Sequence, residues 1–266
     1  MQQAEDFRDE SDALFDLLSG QPEERLNVPT QFKLWSTNRV LRHLHVWNEM
    51  AALQLSDEQR LVAALKSAMR AANGMAAFER EWVGDLKGRA LVDAWRAGAH
   101  TTADHFARAD PKARLKWVGP DMSARSSITA RLMETWAHGQ EIYDLCDVAR
   151  NNTDRIKNIV VLGVNTFAWT YRNRGLPVPD AIPYLELAAP SGEIWTYGTE
   201  DALASIVGPA EDFCQVVTQT RNVADTSLRL EGETAAQWMS MAQCFAGAPN
   251  DPPAPGTRFR GPKPRA

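Results

Sequence analysis

Hydrophobic residues recur at helical spacing through the first 175 residues of the chain. The first such stretch sets Phe7, Leu14 and Leu18 among acidic residues and ends near Gly20. Residues three and four apart lie on one face of a helix, so each stretch can bury its apolar side. The pattern predicts helices near residues 4–18, 37–55, 57–73, 88–109, 123–150 and 154–174. Short loops between long helices favour an antiparallel bundle.

Two of these helices carry clear start signals. Ser36 or Thr37 can cap the second helix, because a side-chain oxygen accepts from the unpaired N–H groups of the first turn. Ser56 and Gln59 have the spacing of a capping box, which predicts that the third helix starts there.

After Pro177 the hydrophobic pattern changes from helical spacing to alternation. Two alternating runs, 184–187 and 193–197, flank a turn-forming segment and predict a β-hairpin. Further strands are predicted near 202–207 and 226–230, and helices near 209–217 and 233–245. We therefore predict a mainly α protein with an N-terminal antiparallel four-helix bundle and a smaller C-terminal α+β domain. The predicted limits are 1–176 for the bundle, 177–247 for the small domain and 248–266 for a disordered proline-rich tail.

Composition narrows the classes of partner and compartment. The chain has 266 residues, with 29 basic and 34 acidic residues and a net charge of −5, so a phosphate-binding basic surface is not expected. No apolar run reaches the length of a membrane span, and the N-terminus lacks a secretory signal pattern. Three widely spaced cysteines fit a reducing compartment, so we expect a cytoplasmic protein. From the charge and the lack of long apolar runs, we expect that it binds neither nucleic acid nor membrane. The cysteines themselves are expected to be buried apolar side chains.

Among five histidines, the helix around residue 43 offers the first candidate for chemistry. His43 lies beside the apolar stripe that includes Val40, Leu44 and Trp47, which points it toward the bundle interior or its edge. His45 falls further round the helix and is expected on the solvated side. An inward histidine is also compatible with a purely structural role.

Glu134 and His138 form the second candidate. They are four residues apart, so both side chains project from one face of the predicted helix and can hold one metal ion. The alternative is a polar pair on a wet face, which the acidic residues Glu141, Asp144 and Asp147 favour. His105 lies near an apolar stripe of its helix and is a weak candidate for a general acid or base.

Two segments resemble the signatures of a known superfamily. Residues 35–44 read WSTNRVLRHL and look like the W-T-V-x-D-V-x-x-H-L stretch of DinB-like metal-binding proteins. Residues 131–142 read RLMETWAHGQEI and resemble the second signature, E-x-W-x-H-G-x-D. Together they are similar to the branch of mycothiol-dependent maleylpyruvate isomerases and thiol S-transferases. Arg39 and Glu141 depart from the aspartates of that pattern.

This resemblance implies a DinB-like fold for the bundle and metal ligands at His43, Glu134 and His138. It implies a divalent metal, with zinc favoured by ligand type, that activates a small thiol for S-transfer or for thiol-dependent isomerisation of an electrophile. A hydrolase using metal-bound water and a non-catalytic metal- or ligand-binding protein remain alternatives. The expected partners are a small thiol and a small electrophile, and the expected state is a monomer or homodimer.

Overall fold

The computed structural model describes residues 1–71, 74–117, 121–200 and 202–261. Their contacts form two compact units, Met1–Ile142 and Tyr143–Ala266. The division falls within one long helix, whereas proline content places the predicted boundary after residue 176. The predicted domain limits stay a prediction.

Six helices account for most of the first unit's described residues. They are α1 (Gln2–Ser19), α2 (Thr37–Ser56), α3 (Glu58–Arg70), α4 (Met75–Val83), α5 (Gly88–Arg108) and α6 (Ala124–Cys146), the last of which extends past the unit's end. A short 3-10 helix spans Glu23–Asn27. Two short antiparallel strands, β1 (Arg114–Leu115) and β2 (Met122–Ser123), precede α6.

The four long helices α1, α2, α5 and α6 form the bundle, and side-chain contacts show their directions. On α1 and α5, Arg8 pairs with Asp104 whereas Leu18 accepts from Arg89, so these helices are antiparallel. Between α2 and α6, Glu134 lies by His43, Arg131 by Asn48 and Ser127 by Gln54, which is again antiparallel. Helices α2 and α5 run in the same direction, because α3 and α4 return the chain between them.

Helix α2 lies at the centre of the unit and is buried on more than one side. Val40, Leu41, Leu44, Val46 and Met50 are fully buried. The expectation that His45 faces solvent is wrong: its exposed fraction is 9%, and its ring lies against Gly98 of α5. A helix packed between neighbours has no fully solvated side, so the position of a residue beside one apolar stripe does not decide its exposure.

Local signals predict the helix starts well, with two differences. Ser36 caps α2 as predicted, accepting from the Arg39 N–H at 3.3 Å. Asp57 caps α3 in place of Ser56, accepting from the Arg60 N–H at 2.9 Å, because Ser56 is still the last residue of α2. Helix α4, which the hydrophobic pattern does not predict, fills the region before α5.

The second unit contains a four-stranded sheet with helices packed on it. The strands are β3 (Tyr184–Ala188), β4 (Ile194–Tyr197), β5 (Ser205–Pro209) and β6 (Arg229–Glu231), in the order β4-β3-β5-β6. The β3–β4 hairpin is the predicted one, β5 pairs with β3 in parallel, and β6 is antiparallel to β5. The helices are α7 (Lys157–Asn165), α8 (Phe167–Asn173), α9 (Ala210–Val217) and α10 (Glu233–Met241).

Buried aromatic side chains form the centre of this unit. The Trp238 ring contacts Phe167 with centroids 4.8 Å apart and Phe213 with centroids 5.7 Å apart, and all three are buried. The two units together confirm the predicted fold class, a mainly α protein with a smaller α+β part. No helix in the described ranges is long and apolar enough to cross a membrane.

The helix predicted for 154–174 is interrupted. A 3-10 turn covers Asp154–Ile156, and α7 and α8 meet at Thr166. The Thr166 hydroxyl donates to the carbonyls of Leu162 and Gly163, at 2.8 and 3.0 Å. Such a bond back to the preceding turn can bend a helix. It does not by itself explain the break, because Thr101 and Thr102 make the same bond inside the unbroken α5.

The structure describes residues 248–261 of the tail predicted to be disordered, and hydrogen bonds join them to the rest of the second unit. Hydrogen bonds join Arg174 to Asp251 at 2.8 Å, Asn222 to the Pro253 carbonyl at 2.8 Å and the Gly261 N–H to the Asp144 carbonyl at 2.9 Å. These bonds are polar and long-range, so the proline-rich composition carries no indication of them.

Candidate metal site

Two bundle helices bring His43, Glu134 and His138 together. Helix α6 presents Glu134 and His138 one turn apart on one face, and α2 supplies His43 two turns after its Ser36 cap. One potential ligand atom from each residue lies within 4.8 Å of the other two. All three residues are half-buried, with side-chain exposures of 18% for His43, 25% for Glu134 and 12% for His138. In the part of the chain that the structure describes, no fourth such residue joins the cluster.

The distances within the cluster fit ligands of one small cation. Glu134 Oε2 lies 3.4 Å from Nε2 of His43 and 3.4 Å from Nε2 of His138. Both separations exceed the usual length of a charge-assisted hydrogen bond, about 2.8 Å. Ligand atoms held about 2.1 Å from a tetrahedral ion lie about 3.4 Å apart. Two imidazoles and one carboxylate are also the donor set of a catalytic zinc site, so these residues fit a divalent metal.

Protonation of the three residues is set by burial and by their mutual charges. Burial raises the pKa of Glu134, but the close ring nitrogens of His138 and His43 and the charges of both histidines outweigh it and hold that pKa well below its usual value. Burial lowers the pKa of His138, and the charges of His43 and Arg131 add to this effect against the opposing Glu134. At neutral pH Glu134 is therefore an ionised carboxylate and His138 a neutral imidazole, and both have a lone pair that can bind a metal ion.

A second carboxylate, Glu79 of α4, binds the far side of the His43 ring. Its Oε1 lies 2.7 Å from His43 Nδ1 and accepts from the Trp47 indole N–H at 3.0 Å. Burial lowers the pKa of His43, but the hydrogen bonds and charges of Glu134 and Glu79 raise it overall. Burial raises the pKa of Glu79, but its bond to His43, the charge of His43 and the bond from Trp47 lower it overall.

Sequence reasoning does not find Glu79. The residue belongs to a helix that the hydrophobic pattern does not predict, 36 positions from His43. The one available signal is an acid between Phe78 and Trp82, two residues that pack together in α4.

Aromatic rings cover one side of His138. Trp35 stacks on it with centroids 5.8 Å apart and planes 9° apart, and Phe32 meets it edge-on at 5.2 Å. The two rings flank a tight turn in which the Trp35 N–H donates to the Phe32 carbonyl, with Lys33 and Leu34 at positive φ. Arg39 lies over the Trp35 ring, 4.2 Å from its centroid.

The structure separates the predicted site residues clearly. His43, Glu134 and His138 lie together, whereas His45 and His105 do not join them. His105 lies half-buried in the last turn of α5, and a catalytic role for it stays a prediction. The interpretation that the acidic residues of α6 mark a wet face is wrong for Glu141 and Asp144, which are 2% and 1% exposed. Asp144 is buried because Arg221 neutralises it through two hydrogen bonds.

A helical bundle with a two-histidine, one-glutamate cluster on facing helices defines a DinB-like protein. The family profile of the mycothiol maleylpyruvate isomerase N-terminal domain matches residues 7–143. The chain belongs to that family.

The chain is also similar to two mycobacterial proteins and, in fold, to two solved structures. Two Mycobacterium tuberculosis proteins, Rv0036c and MT0041, both called uncharacterized, are 37% identical over 248 residues, which cover 92% of this chain and 95% of each relative. The crystal structure of the mycothiol-dependent maleylpyruvate isomerase matches with a TM-score of 0.55 at 11% identity, covering 86% of this chain and 91% of that one. A single-residue mutant of that enzyme gives 0.53 at 13%, covering 81% and 87%. At such low identity these two matches show the fold.

Proposed function

We propose that this protein is a metal-dependent enzyme that uses a low-molecular-weight thiol, either in S-transfer or in thiol-dependent isomerisation. His43, Glu134 and His138 would hold the divalent metal. The observation that carries the proposal is the position of Glu134 Oε2, 3.4 Å from a ring nitrogen of each histidine. Zinc is the metal that this donor set favours, although geometry and availability also decide which metal binds.

The charge of the donor set suits thiol chemistry. Two neutral imidazoles and one carboxylate compensate only one of the two charges of a divalent ion. When bound, the ion would supply the positive charge that stabilises a thiolate relative to a thiol. Three protein ligands also leave room for a small molecule, and no fourth His, Cys, Asp or Glu in the described ranges completes the cluster.

Neighbouring side chains have roles that follow from their contacts. The stacked Trp35 ring and the edge of Phe32 exclude water from one side of His138, which keeps that imidazole neutral and fixed in orientation. Arg131, 4% exposed and one turn before Glu134, donates to Asn48 at 3.0 Å and adds positive charge near the cluster. A more positive surrounding favours an anionic thiolate or an anionic electrophile.

Family membership supports the same chemistry. The family profile and both solved structures bear the name of mycothiol-dependent maleylpyruvate isomerase. We therefore infer a small-thiol cosubstrate of the mycothiol type and an electrophilic substrate, with isomerisation as the reaction that the family name supports.

Metal content of purified variants tests the ligand set. His43→Ala, Glu134→Ala and His138→Ala should each lose most of the bound metal, as measured by plasma emission spectroscopy. His45→Ala is the matched control, because His45 lies on the same helix and is also buried but is outside the cluster. Retention of full metal content in His43→Ala, with loss in His45→Ala, would show that the ligand set is wrong.

Thiol dependence tests the reaction class. Metal-loaded protein should convert an electrophile such as a cis-configured unsaturated ketoacid only when a small thiol is present. Turnover that does not depend on thiol, with labelled oxygen from water in the product, would instead establish a hydrolase. Metal binding without any turnover across thiols and electrophiles would favour a binding protein.

A further inference from the structure

We propose that Glu79 is a positioning residue that fixes which nitrogen of His43 faces Glu134 and His138. By accepting the Nδ1 proton, Glu79 would hold His43 as the tautomer whose Nε2 is free for a metal ion. The inference rests on the proposed metal ligation by His43.

The contact between Glu79 and His43 gives the buried carboxylate a role at the cluster. The carboxylate is 3% exposed, and an ionised carboxylate can only accept hydrogen bonds. His43 Nδ1, 2.7 Å away, must therefore carry the proton. When the ring is neutral it carries one N–H, and with that proton on Nδ1 the lone pair of Nε2 lies on the side of Glu134. Carboxylates that hold metal-binding histidines in this way fix the ring orientation and raise its basicity.

Trp47 holds Glu79 in place for this task. It lies one turn after His43 on α2 and donates to the same oxygen, Oε1, at 3.0 Å. The indole is 7% exposed, and it packs edge-on against Trp117 with centroids 5.7 Å apart. Glu79 of α4 thus bridges two residues of α2, and its acceptor oxygen has little freedom to leave Nδ1.

A contribution to stability and control of the His43 tautomer are separate roles for this charge. Burying a carboxylate costs free energy, and well-packed apolar residues often replace buried ion pairs without loss of stability. What an apolar residue cannot supply is an acceptor for the Nδ1–H of His43 and for the indole N–H of Trp47. An effect on the tautomer and on metal affinity therefore distinguishes a positioning role from a packing role.

Two variants of Glu79 and one control test the inference. Glu79→Ala removes the acceptor, and Glu79→Gln keeps the shape and removes the charge. Glu49→Gln is the control, because Glu49 accepts from the Trp82 indole at 2.5 Å and lies 3.6 Å from His45, a histidine outside the cluster. Nitrogen-15 NMR of metal-free protein, at a pH alkaline enough for neutral imidazole, reports the His43 tautomer. Competition with a chromophoric chelator reports the Kd for zinc.

We expect His43 to be the Nδ1–H tautomer in the wild type and a mixture of tautomers in Glu79→Ala. The Kd for zinc should rise about 10–100-fold in Glu79→Ala and less in Glu79→Gln, with no change in Glu49→Gln. If Glu79→Ala does not fold, the zinc Kd of Glu79→Gln decides, because its amide oxygen can still accept from Nδ1–H and Trp47 but lacks the charge that raises the basicity of the ring.

Failure of this inference and failure of the proposed function give different results. An unchanged tautomer in Glu79→Ala, or an unchanged zinc Kd in Glu79 variants that do bind zinc, overturns the inference and leaves the proposed function standing. Equal losses in Glu49→Gln overturn it as well, since the effect would then be general. A wild type that binds no divalent ion overturns the proposed function, and the tautomer measurement by itself then decides whether Glu79 positions His43.

Discussion

The Asp144–Arg221 pair allows a stability prediction worked from distances. Arg221 donates from Nη2 to Asp144 Oδ1 at 2.7 Å and from Nη1 to Oδ2 at 2.8 Å. Side-chain exposure is 2% for Asp144 and 10% for Arg221. Arg221 also donates to the Thr220 carbonyl at 2.9 Å. The geometry is a two-pronged ion pair, which is the strong form of this interaction.

Asp144→Asn keeps the shape of the side chain and removes its charge. Two unit charges about 4 Å apart attract by about 4 kcal/mol at an effective dielectric constant of about 20. Breaking a buried pair from one side costs about 3–5 kcal/mol, because the remaining charge stays buried and uncompensated. An asparagine oxygen can still accept one hydrogen bond from Arg221. We therefore expect a loss near the lower end, about 3 kcal/mol.

Urea denaturation, with hydrogen exchange to localise the change, measures this loss. Asp147→Asn is the control, since Asp147 lies one turn later and its contact with Arg260 is 3.5 Å long and exposed, so its loss should stay below about 1 kcal/mol. The double variant Asp144→Leu/Arg221→Leu should be less destabilised than either leucine substitution alone. A loss in Asp144→Asn no greater than that of the control would refute the reasoning.

Three further predictions follow from single contacts. A chelator should lower the Tm of the metal-loaded wild type but not that of His138→Ala. The reason is that an ion present at about 100 times its Kd stabilises the native state by about 2.7 kcal/mol. Equal Tm values of the wild type with and without chelator would contradict this prediction. Burial raises the pKa of the Cys214 thiol well above its ordinary value. Iodoacetamide at mildly alkaline pH should therefore modify half-buried Cys146 before Cys214. Mass spectrometry showing the reverse order would count against this prediction. Gly163→Ala should lower the free energy of unfolding in urea by about 1–3 kcal/mol, since the new Cβ would lie 2.9 Å from the Phe213 ring. An increase in stability, which is usual for alanine in place of glycine in a helix, would show that the site is not overpacked.

Local rules predict much of the fold from sequence. The helix start at Ser36, the end of α1 near Gly20 and the β3–β4 hairpin depend on neighbours a few residues away. Those interactions follow from backbone geometry and capping chemistry, which a sequence displays directly. The break at Thr166 escapes these rules, because the helical spacing of hydrophobic residues continues across it from α7 into α8.

The candidate site likewise has a part that the sequence predicts and a part that it does not. Glu134 and His138 share one face because they are four apart on one helix, and the spacing alone predicts this pairing. The addition of His43 to them follows from resemblance, since 91 residues separate it from Glu134. Glu79 depends on the packing of α4 against α2, and no local pattern reports that contact.

By itself the sequence determined most of the helices, the hairpin and the pairing of Glu134 with His138, because each of these depends on short-range periodicity. Tertiary structure alone decided that His45 is buried against Gly98, that Asp144 is buried with Arg221 and that Glu79 holds His43. Burial and long-range pairing depend on which faces of separate helices meet. That choice is made by the packing of the whole unit, and the periodicity of one helix carries no information about its neighbours.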